Sequence, residues 1–187
     1  MTVINIRPGD VVLFSGRTPI HQLVQRLTKG PWTQVGLVLS LPNCNELLLM
    51  EATSIPVCPD IDTGSYSPGV RTVQLEARLS NFSGTAASRS LWPPLNAASV
   101  RDLVKFRDVV RGRSFDFSLQ SARRSIRRLH VEWKPHFFTC SSLVTYAYQS
   151  IGVMERPPKG PLPNNVLPGD FALEGNAPRS KALLWRK

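Results

Sequence analysis

The order of the short apolar runs constrains the fold more than any other feature. Runs at 11–14, 35–39 and 47–51 are bounded by turn residues, Pro8-Gly9-Asp10 before the first and Pro42 to Asn45 between the other two. Runs this short suit buried strands, with the second and third forming a hairpin. Between the first two, Ile20, Leu23, Val24 and Leu27 recur at helical spacing until Gly30-Pro31, which gives a short amphipathic helix. Residues 70–75 set Val70, Thr72 and Gln74 against Arg71, Val73 and Leu75, the alternation of a strand with one covered face.

Helical periods take over in the second half. Val100, Leu103, Val104 and Val110 lie near one face of a helix over 96–111, with an Asn or Ser cap before it and Gly112 past its end. A second helix is expected over 120–130. A third, over 139–151, carries Cys140, Leu143, Val144, Ala147 and Ile151 on one stripe, with Gly152 at C′. Residues 54–69 read as an irregular loop and 80–90 as small and polar. One more short strand fits 90–95, ahead of Pro93-Pro94, and 157–168 is proline-rich and extended. The expectation is one α+β domain over 1–174, an antiparallel sheet packed against helices, with a flexible basic tail at 175–187.

Charge narrows the partners. Lys plus Arg number 23 against 13 Asp plus Glu, a formal charge of +10 on 187 residues, so an anionic partner is expected. Arg123, Arg124, Arg127 and Arg128 share one arc of the helix expected over 120–130, and no acid follows until Glu132. Such a cluster is commonly a solvated helix face, and it also suits phosphates or an anionic membrane surface. With no nucleic-acid motif and no aromatics among the basic residues, specific nucleic-acid binding is not expected. Cys44, Cys58 and Cys140 show no CxxC spacing, and no stretch resembles a secretory signal or approaches the ~20 apolar residues of a membrane span. The expected setting is a reducing, cytoplasmic one.

Cys140 is the most specific chemical suggestion in the chain, because it opens the 139–151 helix. Unpaired N–H groups and the positive end of the helix dipole favour a thiolate there. Its alternative is a small core side chain on an apolar stripe.

Taken in order, Val-Gly-Leu-Val-Leu at 35–39, Leu-Leu-Met-Glu-Ala-Thr at 48–53, Pro-Gly-Val-Arg-Thr-Val-Gln-Leu at 68–75, Ser-Phe-Asp-Phe at 114–117 and Thr-Cys-Ser-Ser-Leu-Val at 139–144 form a recognisable series. The series resembles the circularly permuted NlpC/P60 papain-like proteins, in particular the YiiX/YebB-like group and its poxviral relatives, over about Arg7 to Asp170. The resemblance implies a permuted papain-like fold with Cys140 as nucleophile and Glu51 orienting a histidine. It further implies a hydrolase or acyltransferase acting on an amide, ester or thioester, with lipid acyl groups a reasonable substrate class. No metal and no organic cofactor are implied. Trp32, Thr33, Phe115, Asp116 and Ser141 fall on the expected substrate-binding walls, although Trp32 and Phe115 suit plain packing equally well.

The histidine position of this series holds Gln34. Imidazole both holds the thiolate and protonates the leaving group, and a carboxamide does neither. Weak or absent turnover is therefore expected, and the alternative is an inactive relative that binds an acyl or peptide ligand or an anionic membrane. Of His21, His130 and His136, only His136, four residues before Cys140, is near enough in sequence to suggest a rewired pair.

Overall fold

A computed structural model describes residues 6–116 and 137–172, together with the strand 182–186. The strands are β1 (Val11–Gly16), β2 (Gln34–Leu39), β3 (Leu48–Thr53), β4 (Gly69–Gln74) and β5 (Gly84–Arg89), the short β6 (Ser114–Phe115) and β7 (Phe137–Phe138), and β8 (Ala182–Arg186). The helices are α1 (Pro19–Thr28), α2 (Leu75–Ser80), α3 (Ala97–Val110) and α4 (Cys140–Ser150). Two 3-10 turns, Pro163–Asn165 and Pro168–Ala172, occupy part of the segment expected to be extended.

Six strands form one antiparallel sheet in the order β4-β3-β2-β1-β5-β8, while β6 and β7 pair in parallel. The hairpin of β2 and β3 pairs Leu37 with Met50, Val38 with Leu49 and Leu39 with Leu48. Within the segment expected to be a tail, β8 pairs along β5 from Arg89 with Ala182 to Thr85 with Arg186.

Both faces of the central strands are covered, which is why β1, β2 and β3 read as near-continuous apolar runs rather than alternating ones. On one face Leu13, Val35, Leu37, Met50 and Ala52 pack with Leu103 and Val110 of α3 and with Leu143, Val144 and Ala147 of α4. On the other, Val12, Phe14, Val38, Leu49 and Val73 form a smaller core with Leu75 at the start of α2. Covering of both faces also overturns the one-sided reading of β4, whose Arg71 and Thr72 are 2% and 1% exposed.

Besides β8 and the two-residue strands β6 and β7, sequence reasoning missed β5 and α2. The strand β5 is made of Gly, Thr, Ala, Ala, Ser and Arg and has little apolar pattern, yet all six residues pair with β1, from Val11 with Arg89 to Gly16 with Gly84. Tertiary pairing overrides weak propensity there. The six-residue α2 was hidden in the continuation of β4, and no strand forms over 90–95. The helix expected over 120–130, with its four arginines, His130 and His136, lies outside the described residues.

At one end of the sheet β1 finishes and β2 begins, with Phe14 opposite Gln34. There β3 also ends, and β4 begins at Gly69, whose φ is +130°. A Cβ on Gly69 would stand 2.6 Å from the Arg113 carbonyl oxygen, so only glycine fits this close crossing of β4 by the segment leading to β6.

Candidate cysteine site

The amino end of α4 is built by a capping box. The Thr139 hydroxyl accepts from the Ser142 N–H at 3.2 Å, and Ser142 Oγ accepts from the Thr139 N–H at 2.9 Å. With the Leu143 N–H given to the Thr139 carbonyl, the helix leaves over the N–H groups of Cys140 and Ser141. Both are turned to the Cys140 thiol.

A third N–H reaches that sulfur from the sheet. Along β2 successive N–H groups alternate in direction, and Val38 donates towards β1, to the Asp10 carbonyl at 2.8 Å. The Val35 N–H therefore points the other way, towards β3, where the pairing stops at Leu37 with Met50. The Cys140 thiol takes this N–H in the opening between the two strands.

Even with three N–H groups, the thiol is pushed up to about 11. Burial is the largest cause, and the negative charge of Glu51 adds to it. Only 8% of Cys140 is exposed. The lowering expected from the helix terminus is thus overturned, because desolvation of the anion outweighs the donors.

Glu51 is 1% exposed and lies inside β3, not at a wet sheet edge. Its Oε2 accepts from Gln34 Nε2 at 2.8 Å and from Arg78 Nε at 2.9 Å, and Arg71 Nε stands 4.0 Å from Oε1. The Arg78 guanidinium lies over the Phe14 ring, 4.2 Å from its centroid, with Phe82 at 5.2 Å. A Nη2 donor of Arg71 reaches the Cys58 carbonyl. Sequence reasoning missed Arg71 and Arg78, although Glu51 within an apolar run signals that a buried carboxylate needs a cation.

Of the other expected site residues, Thr33 is spent on the backbone: its hydroxyl donates to the Phe14 carbonyl at 3.0 Å and accepts from the Gly16 N–H at 3.3 Å. Trp32 and Phe115 pack against the core that includes Cys140. The Asp116 N–H donates to the Phe138 carbonyl at 3.0 Å, so 114–116 runs alongside 137–138, the segment that leads into Cys140. Ser141 Oγ donates to the Val166 carbonyl at 2.6 Å, which leaves its N–H as the group facing the sulfur. His21 lies over Gly16 and beside Phe82, with Nδ1 2.8 Å from Thr18 Oγ1. Burial, then the charge of Arg78, hold its imidazole below the usual range.

From Phe138, two residues before the thiol, a largely apolar cavity of about 620 Å³ extends to the carboxyl end of α4. Its walls include Phe106, Val110, Tyr146 and Leu162, with Arg113 and Arg156 supplying positive charge.

No family model matches the sequence, and no curated protein matches it. Among solved structures the chain is similar to the crystal structure of metalloprotein yiiX from Escherichia coli O157:H7, DUF1105, with a TM-score of 0.59 and 16% identity. The similarity covers 79% of this chain and 67% of that one. The chain therefore has a YiiX-like α+β fold.

Proposed function

We propose that this is a permuted papain-like domain that has kept its cysteine frame but lost turnover, and that it binds an acyl-bearing ligand, lipid or peptide. The observation carrying the reading is the 2.8 Å hydrogen bond from Gln34 to Glu51 where the family resemblance implies a histidine. Glu51 keeps its orienting place, but the group it orients has no proton to give and take.

The thiol agrees. A thiol at about 11 is ionised in only roughly one molecule in ten thousand near neutrality. The N–H groups of Cys140, Ser141 and Val35 are turned to the sulfur and hold it in place as a buried, protonated thiol. The cavity beginning at Phe138 is apolar enough to take an acyl chain, and Arg113 and Arg156 suit an acidic head.

The YiiX structure is described as a metalloprotein. Among the described residues here, no three His, Cys, Asp or Glu side chains come together as a ligand set, and Glu51 is instead neutralised by Arg78 and Arg71.

Two measurements test the reading. The full chain is assayed on ester and thioester panels beside Cys140→Ala and Gln34→His, and its binding of medium- and long-chain fatty acids is followed by native mass spectrometry. The wild type is expected to match Cys140→Ala in turnover and to bind fatty acid, and the thiol reactivity of Gln34→His reports whether an imidazole at position 34 can reach the sulfur. Turnover by the wild type that Cys140→Ala abolishes would overturn the silent site, and absence of fatty-acid binding would overturn the acyl ligand.

A further inference from the structure

The helix α1 is rotated relative to an ordinary surface helix, so that only half of its apolar stripe faces the domain. A helix on a globular domain turns its apolar stripe to the core. Here the side held to the sheet is polar: Gln25 Nε2 bonds to Ser15 Oγ and to the Gly16 carbonyl, both at 3.2 Å, and His21 lies over Gly16. No residue of α1 is buried. Half of its apolar stripe is left open: Leu23 is 46% and Leu27 37% exposed, while Ile20 and Val24 are half-buried beside Gln25 and His21.

The charge around this stripe has one sign. From Val11 to Asn45 there is no Asp or Glu, while Arg17, Arg26 and Lys29 are all exposed. They stand before the helix, in its last turn and at its carboxyl cap. An apolar strip with cations at both ends matches the boundary of an anionic bilayer, where leucines enter the acyl region and basic side chains meet the headgroups.

We propose that α1 is an interfacial helix that docks the protein on anionic lipid through Leu23, Leu27, Arg26 and Lys29. Because α1 joins the end of β1 to the start of β2, docking brings the end of the sheet that carries Gln34 and Glu51 to the membrane. The inference stands apart from the silent-site reading, since it uses no residue of the cysteine frame.

The test is co-sedimentation of the full chain with vesicles of phosphatidylcholine alone or mixed with phosphatidylserine. Binding is expected to the mixed vesicles and to weaken as salt is raised. Replacing both leucines, Leu23→Gln with Leu27→Gln, is expected to lower partitioning at least about tenfold. The pair Arg26→Gln with Lys29→Gln should lower it about fivefold or more on phosphatidylserine and leave phosphatidylcholine unchanged. All four side chains are exposed, so the circular-dichroism melt of each variant should follow the wild type. Failure of the wild type to bind mixed vesicles overturns the proposal, as does a leucine variant that binds like the wild type. Sedimentation velocity covers the other occupant: a dimer dissolved by the leucine changes, without lipid binding, assigns the stripe to a second copy of the chain and also overturns it.

Discussion

Gln34 and Arg78 donate to the same oxygen of Glu51, at 2.8 and 2.9 Å, so a neutral amide and a guanidinium share one buried carboxylate. An amide donates at every pH, whereas an imidazole also accepts, charges and releases a proton. Glu51 therefore has an amide, not a titrating ring, as its partner from β2. The same carboxylate fixes the face of β2 and β3 opposite α4, and the thiol enters the opening between those strands.

Removal of Glu51 should cost far more than removal of Gln34. Glu51→Ala leaves Arg78 and Arg71 buried without their carboxylate, a loss of about 3–5 kcal/mol. Gln34→Ala removes one hydrogen bond to a charged group, roughly 1.5–3 kcal/mol. Urea unfolding of both single variants and the double variant measures this. Equal costs for the two single variants would show that the arginines are accommodated without Glu51.

The thiol should make stability fall at high pH. The folded pKa of Cys140 is raised from 9.0 to about 11, so the folded state holds the proton more tightly than the unfolded chain. The contribution is complete below about 9 and is lost as pH rises towards and through 11, about 2–3 kcal/mol in all. The difference between wild type and Cys140→Ala, unfolded in urea near neutrality and near pH 11, isolates it from other alkaline groups. Iodoacetamide alkylation of Cys140 should likewise be slow near neutrality, and a half-reaction pH near the free-thiol value of ~8.5 would contradict the buried thiol.

Where periodicity was strong, as in β1 to β4, α1, α3 and α4, the elements were legible because each carries its own pattern. The segment 84–89 is small and polar, and only its partner β1 makes it a strand. At the site, Cys140, Gln34 and Glu51 were visible as residue types in order. Hidden from the sequence were Arg78, supplied by a six-residue helix with no periodicity to read, and the desolvation of the thiol. Both depend on which groups surround a position in space. The same limit applied to α1, whose helical stripe was plain but whose outward turn follows from Gln25 and His21 taking the inner side.

The 54–68 loop, which leaves β3 two residues after Glu51, is expected to depend on one arginine of α3. Arg107 is 4% exposed and pairs with Asp62 of that loop, while its Nε donates to Thr72 Oγ1 of β4 at 3.1 Å. The loop's own links to β4 are the Ile61 N–H to the Thr72 carbonyl and the Thr72 N–H to Asp60 Oδ2, both 2.9 Å, together with the Arg71 guanidinium, which donates to the Ser67 and Cys58 carbonyls. Arg107→Leu leaves Asp62 without that cation, and should lower global stability by about 2–4 kcal/mol. Locally, hydrogen exchange at the Ile61 and Thr72 amides should speed up more than about tenfold relative to the rest of the sheet, as expected for a sub-global opening. Asp62→Asn keeps a hydrogen-bonding partner for Arg107 and should show a smaller change in the same direction. If the two amides keep wild-type protection in Arg107→Leu, the loop is held by its turn at Asp60 instead, where Oδ1 accepts from the Asp62 and Thr63 N–H groups at 3.0 Å.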